Sequence, residues 1–252
     1  MLTYNVHGLL PFITGDDTEA RMRAISPRLN AYDIAAIQEN FFFSEQLLGE
    51  VNHASQHHFG EALPGRGTGS GLSLLSTFAI EQAEGTPWST CHGGFNDCAS
   101  DCLGSKGVQW ARVRLADHPH ASIDVYNLHM EAGGCPEDLV SRDAQTDQLL
   151  EAISERSPRR AVIVVGDTNL RPSDPFEDEL LGRIRAGASL QDACTVLDCP
   201  EPDRIDRFLL RGGEDLDLLA VEWHQAMEFF DAEGAPLSDH DALAARFEFR
   251  TR

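Results

Sequence analysis

The chain has 252 residues, with 41 acidic against 20 basic side chains and a formal charge of −21. That length fits one large α/β domain or two small ones, and the absence of a linker, repeat or low-complexity tract favours a single domain over 1–252. The acidity disfavours a nucleic-acid binder that works through a basic face, although it does not exclude a nuclease, because a bound cation can invert the local field, and no apolar run reaches the length of a membrane-spanning helix.

In chain order, Leu2–Val6 reads as a first strand that starts directly after Met1. A start so close to structure is what a removed leader would leave, so Met1 is expected to replace one. Asn5 is polar within that apolar strand, either satisfied by backbone or offering oxygen to a cation. Asp16, Asp17 and Thr18 are good caps for a helix over Glu19–Ile25, and Ser26-Pro27 starts another. Asp33–Glu39 reads as a buried strand ending on a carboxylate, which is costly there unless paired or bound to a hard cation such as Mg²⁺. Phe41, Phe42 and Phe43 follow; three successive aromatics cannot share one core, so one or two are expected to pack between strand and helix, with a lipid-touching edge as the alternative reading. Ser44–Val51 looks like an amphipathic helix.

Pro64–Gly71 lacks the lysine of a phosphate-binding loop and reads as a turn before the strand Leu72–Ser76. Gly85–Lys106 reads as one long loop, a length that implies function or stapling. It ends in DCLGSKG, where Lys106 is the chain's only lysine. Lys106 serves a substrate phosphate, latches onto Asp101, or is an ordinary surface residue. Gly107–Leu115 and Ser122–His129 form a strand pair joined near Asp117–His120. On the second strand Ile123, Val125, Asn127 and His129 share a face. Pro136–Arg156 is a helix with Arg142, Gln145 and Leu149 along one side.

Ala161–Leu170, AVIVVGDTNL, has the β-branched run of a strand buried on both faces. Gly166 is expected to break it, leaving Asp167 and Asn169 side by side at its end or joined in an Asx turn. Phe176–Arg185 is a helix, Asp206 precedes the apolar run Phe208–Leu210, and SDHD at Ser238–Asp241 precedes the closing strand Ala242–Phe249. A carboxylate beside an imidazole fixes its tautomer, the usual arrangement of a base and its orienter.

Cys91, Cys98, Cys102, Cys135, Cys194 and Cys199 are even in number. Cys98/Cys102 and Cys194/Cys199 are local pairs, which favours disulfides and an oxidising compartment over zinc, whose CxxC spacing is missing. A secreted or periplasmic location is therefore expected, with free thiols in the cytoplasm as the alternative.

Asn5 in YNVHG, Glu39 in IQE, Asn127 and His129 in YNLHMEA, Asp167 and Asn169 in GDTN, Asp206 in RID, and Asp239 and His240 in SDH occur in an order that resembles the endonuclease/exonuclease/phosphatase, deoxyribonuclease-like superfamily. The resemblance spans Leu2 to Phe249. It implies a four-layer α/β/β/α sandwich, two packed, mainly antiparallel sheets flanked by helices, and metal-dependent phosphoester hydrolysis. It further implies that Glu39, Asn5 and Asp239 form the metal region, with Mg²⁺ as cofactor and Mn²⁺ or Ca²⁺ as alternatives. His129 and Asn169 would donate to phosphate, Asp167 would position water, and His240 would be the base oriented by Asp206.

NVHGLLP, QENFF, DCLGSKG and GDTNxxPSD are most similar to neutral sphingomyelinases. There Asp101 and Lys106 match an Asp–Lys switch that shapes the site. This implies a phospholipid phosphodiesterase, sphingomyelinase C-like, working as a monomer on lipid with no stable nucleic-acid partner. The alternative within the superfamily is a nuclease or a phosphatase for a soluble ester; the alternative outside catalysis is a binding module. The chain departs from those relatives in lacking an aromatic-rich hairpin and membrane anchors, and in carrying His7 where nuclease relatives have an acid.

Overall fold

The computed structural model describes residues 1–115, 121–201 and 203–252; the expected turn at Asp117–His120 lies outside them. In chain order the strands are β1 (Leu2–Asn5), β2 (Ile34–Gln38), β3 (Ser55–Phe59), β4 (Leu72–Ser76), β5 (Ile80–Pro87), β6 (Gly107–Arg114), β7 (Ser122–His129), β8 (Val162–Asp167), β9 (Gln191–Asp192), β10 (Asp206–Arg211), β11 (Leu216–Gln225) and β12 (Leu243–Thr251). They form two six-stranded sheets, ordered β11-β12-β1-β2-β4-β3 and β5-β6-β7-β8-β10-β9. Among the described residues only β1–β2 and β7–β8 run parallel; the other pairings are antiparallel.

Alternation along each strand builds the layers. Ile163 and Val165 of β8 join Val125, Phe208, Ala36, Leu74 and Leu243 in the core between the sheets. Val162 and Val164 face the other way, onto Leu149 and Ile153 of the helix Pro136–Arg156 and Leu180 and Ile184 of the helix Pro175–Gly187. On the first sheet Leu2, Tyr4 and Ile37 pack under Met22 and Ile25 of the helix Thr18–Ile25 and Leu47 of the helix Ser44–Leu48. The result is the four-layer sandwich expected.

Several strand ends shift by one or two residues from the sequence reading, and two of the differences have a clear physical reason. Gly166 does not end β8; it continues the strand at φ 128°, and a Cβ there would lie 2.2 Å from the Leu128 carbonyl oxygen of β7. Glycine is therefore required for close approach to the neighbouring strand. The expected loop from Gly85 is shorter, because Ile80–Pro87 is β5, an edge strand paired only with β6.

The remaining loop, residues 88–106, is stapled twice. Cys98 does not pair with Cys102. It bridges to Cys135, while Cys102 bridges to Cys91 and Cys194 to Cys199. The reason is local: the Cys102 N–H donates to the Gly93 carbonyl oxygen, so the chain folds back and brings Cys102 to 5.3 Å (Cα–Cα) from Cys91. Cys98 is left to meet Cys135 at the start of the long helix. Replacing Cys98 and Cys135 together by serine is expected to cost about 2–4 kcal/mol, because their closed loop spans 37 residues. Thermal melting should fall by on the order of 5–15 °C; an unchanged midpoint would show that the loop needs no staple.

Candidate active site

The core between the sheets changes character at one end. The inward positions that are apolar along β1, β2, β6, β7, β8 and β10 become Thr3, Asn5, Gln38, Gln109, Asn127, His129, Asp167 and Asp206, all buried. Sheet register assembles three of them. His129 lies directly opposite Asp167 across β7–β8, and Asp167 directly opposite Asp206 across β8–β10. Neighbours in one row point to one face, so they face the first sheet together. Beneath them Gln38 Nε2 donates to Asn127 Oδ1 at 2.7 Å, and Asn127 Nδ2 donates to the Ile37 and Ser73 carbonyls at 3.1 Å. Asn127 is therefore a clamp between the two sheets under the site.

From the first sheet, Asn5 Nδ2 donates to Glu39 Oε1 at 2.9 Å and to Asp167 Oδ2 at 3.1 Å, so one amide holds a carboxylate from each sheet. Its oxygen accepts from the His7 N–H at 3.0 Å. Glu39 follows β2 with φ 55°, a left-handed turn that swings its side chain into the cleft. His129 Nε2 stands 3.4 Å from Asp167 Oδ2 and 3.8 Å from Glu39 Oε1. Trp88, which sequence reasoning missed, donates its indole N–H to the His129 carbonyl at 2.7 Å.

Asp167 and Asn169 do form an Asx turn rather than a flat, extended pair. The Asn169 N–H donates to Asp167 Oδ1 at 2.9 Å, and Asn169 Nδ2 donates to the Met130 carbonyl at 3.1 Å. His240 Nδ1 lies 2.8 Å from Asp206 Oδ2, with Nε2 3.8 Å from Asp167 Oδ2. Asp239 sits at the rim, more than half exposed and 3.4 Å from His7 Nδ1. Lys106 and Asp101 form a buried pair, Nζ to Oδ1 2.6 Å, and Asp101 also accepts from the Ala132 N–H. Lys106 is thus latched to Asp101. The three phenylalanines divide as well: Phe43 packs against the first sheet's outer core, while Phe41 and Phe42 line a groove beside Glu39.

Charge sets the protonation states. Burial, Lys106 and His240 push His129 well below the usual histidine range, so it is neutral. Burial and the facing Asp206 push Asp167 up to about 7. Burial opposes charge on His240, but Asp206, Asp167 and Asp239 override it and lift the imidazole to about 10. Burial likewise opposes charge on Lys106, and Asp101, Glu39 and Asp167 hold it above the ordinary lysine value. The carboxylates of Glu39, Asp101, Asp167, Asp206 and Asp239 outnumber the cations Lys106 and His240. One Asp206 oxygen is buried without a partner. A carboxylate-rich, net-negative cleft of this kind fits a hard divalent cation, with Glu39 as the most accessible buried-edge carboxylate.

Glu131, also missed from the sequence, lies behind the Asp101–Lys106 pair. It accepts from the His92 N–H at 2.6 Å and from Gln145 Nε2 at 3.3 Å. Burial and Asp101 raise it from 4.5 to about 7. Between those values the folded chain keeps a proton that the unfolded chain has lost. Stability contributed by protonated Glu131 is therefore lost as pH rises through that window, by no more than roughly 3 kcal/mol. Glu131→Gln is expected to gain melting temperature relative to the parent between pH 5 and pH 8, by several degrees. Parallel melting curves across that range would refute the assignment.

The model of the Endonuclease/Exonuclease/phosphatase family matches residues 2–240. The sphingomyelinase of Mycobacterium tuberculosis (strain H37Rv) is 31% identical over 277 aligned positions, covering 99% of this chain and 52% of that protein. The chain therefore spans about half the length of this curated relative. Among solved structures, a Staphylococcus aureus beta toxin mutant with bound magnesium ions superposes with a TM-score of 0.70 at 14% identity, covering 97% of each chain. Sphingomyelinase C from Streptomyces griseocarneus superposes with 0.69 at 16% identity, again over 97% of each. At those identities the structures speak for the fold alone.

Proposed function

Because the chain belongs to the Endonuclease/Exonuclease/phosphatase family, we propose that it is a cation-dependent phosphodiesterase that removes the head group of a phospholipid, in the manner of a sphingomyelinase C. The observation that carries this reading is the row His129–Asp167–Asp206 with His240, Glu39 and Asn5 gathered on it and the buried Asp101–Lys106 pair closing one side. The long match to a sphingomyelinase favours the lipid substrate over other phosphoesters.

Asp206 holds His240 Nδ1, which leaves Nε2 facing Asp167. The surrounding carboxylates keep the ring protonated, and it acts as base towards water once a bound cation offsets those carboxylates and it has released that proton. Asp167 orients that water from the other side. Neutral His129 and the second amide hydrogen of Asn169 supply donors to the phosphoryl oxygens, preorganised by the Trp88 and Met130 bonds. Glu39, with Asn5 beside it and Asp239 at the rim, would hold the cation, Mg²⁺ in this proposal. When bound, such an ion neutralises phosphoryl charge and steadies the leaving oxygen. Lys106, held by Asp101, shapes the wall next to Glu39. The three disulfides support an oxidising, secreted or periplasmic setting.

The test is a hydrolysis panel of sphingomyelin, other choline and ethanolamine phospholipids, plasmid DNA and a simple phosphodiester, each with Mg²⁺ and with EDTA. Phosphocholine released from sphingomyelin in Mg²⁺ and not in EDTA is expected. Cleavage of DNA or of the simple ester alone would overturn the lipid reading in favour of a nuclease or soluble phosphoesterase. The net charge of −21 disfavours the nuclease.

A further inference from the structure

The turn Pro11–Thr14 follows Leu9 and Leu10, making five consecutive apolar residues, Leu9–Ile13, yet the turn buries none of its own. Phe12 is 81% exposed and Ile13 55%. Across a groove of about 600 Å³ stands Phe95, also 81% exposed. Side chains this apolar do not stand in water for packing reasons, and an apolar patch beside a cleft marks a contact surface. Phe95 is not on a fraying end. Its loop is locked by Cys91–Cys102 and Cys98–Cys135, so the ring is presented on a cross-linked platform.

Three further observations define what the patch contacts. The groove is continuous with the site: its walls include Phe42 and Leu103, and its floor reaches Glu39 and Lys106. No charged residue occurs from Gly8 to Gly15 or from Gly93 to Asn96. The rest of the molecule is strongly acidic, at −21 overall, so an anionic surface repels it and attraction must come from apolar insertion.

We propose that Phe12, Ile13 and Phe95 insert into the interface of a zwitterionic bilayer, and that the groove between them carries lipid chains from the bilayer to the head-group site at Glu39 and Lys106. This rests on the phospholipid reading above, and it assigns to the Leu9–Ile13 turn and the stapled loop the docking role for which the sequence offers no aromatic hairpin. The turn and the loop line one groove with Glu39 and Lys106, so docking brings the bilayer to the same groove that reaches the head-group site.

The test separates docking from chemistry. Co-sedimentation with phosphatidylcholine/sphingomyelin vesicles is measured in EDTA for the parent, Phe12→Ser/Ile13→Ser and Phe95→Ser. Hydrolysis of water-soluble p-nitrophenyl phosphorylcholine is measured in Mg²⁺. Vesicle partitioning is expected to fall on the order of tenfold for each inserted side chain removed, with soluble-ester hydrolysis within about twofold of the parent. Replacing a third of the phosphatidylcholine by phosphatidylserine should weaken binding of the parent. Unchanged partitioning of the variants, or equal or tighter binding to the anionic vesicles, overturns the proposal. Loss of partitioning in variants of a chain that hydrolyses no choline ester would uphold the docking surface and overturn the catalytic reading instead.

Discussion

Replacing His240 by alanine should lower kcat by about 10²–10⁴, the usual contribution of a positioned general base, with little change in KM. The geometry makes this the most damaging single change to the chemistry. His240 is the imidazole whose Nδ1 is fixed by a carboxylate, 2.8 Å from Asp206, while its other nitrogen faces the cleft. Asp206→Asn should cost less, because the ring remains but loses the charge that holds its tautomer. Its loss should fall between the parent and His240→Ala, and the double variant should be no worse than His240→Ala alone, since both residues serve one proton transfer. Steady-state kinetics on the accepted phosphodiester, with circular dichroism to confirm folding, checks the series. His240→Ala retaining more than a tenth of parental activity would remove it from the reaction.

Asp101→Ala should be the most destabilising change, by about 3–5 kcal/mol, because it strands a buried ammonium. Lys106 and Asp101 are each more than nine-tenths buried and 2.6 Å apart. The next acceptor of Lys106 is the Met130 carbonyl at 3.4 Å. For a chain of this size the melting midpoint should drop on the order of 10 °C. The paired replacement Asp101→Leu/Lys106→Met should recover most of that stability, since two apolar side chains often replace a buried ion pair at no net cost. Activity should not recover with it if the pair shapes the wall beside Glu39. Thermal melts and kinetics on the three variants decide. Asp101→Ala melting within a degree or two of the parent would mean that the pair is solvated in solution, and full activity in the double variant would make it purely structural.

Legibility in the sequence followed burial. The strands read correctly, β1, β2, β4, β6, β7, β8 and β12, carry runs of buried apolar residues, and β10 shows in the sequence only as the apolar run Phe208–Leu210. Those passed over, β3, β5, β9 and β11, are the edges of the two sheets. SQHHF and IEQAEGTP are mixed in polarity because one side of an edge strand meets solvent, and only pairing with β4 or β6 makes them strands. The disulfides show the same limit: proximity along the chain pointed Cys98 to Cys102, whereas the fold-back at Gly93 sent each to another partner.

The site divides in a similar way. Asn5, Glu39, His129 and Asp167 stand out because a polar residue within or at the end of a buried strand is costly and demands a reason. Asp101, Lys106, Asn169, Asp206, Asp239 and His240 stand out largely through the motif series they complete. Glu131, Gln109 and Trp88 carried no such signal, since their importance lies in contacts with Asp101, Asn127 and His129 from other elements.

By itself, then, the order of hydrophobic runs and the polar residues that end them determined the layered α/β architecture and the chemical types in the cleft, because burial is a property that each strand carries in its own composition. Register, disulfide partners, charge states and the exposed Phe12–Phe95 rim were decided only in three dimensions. Each depends on which segment lies opposite which, and a one-residue slip of β8 against β7 or β10 would turn Asp167 away from His129 and Asp206 with no change in the sequence of any strand.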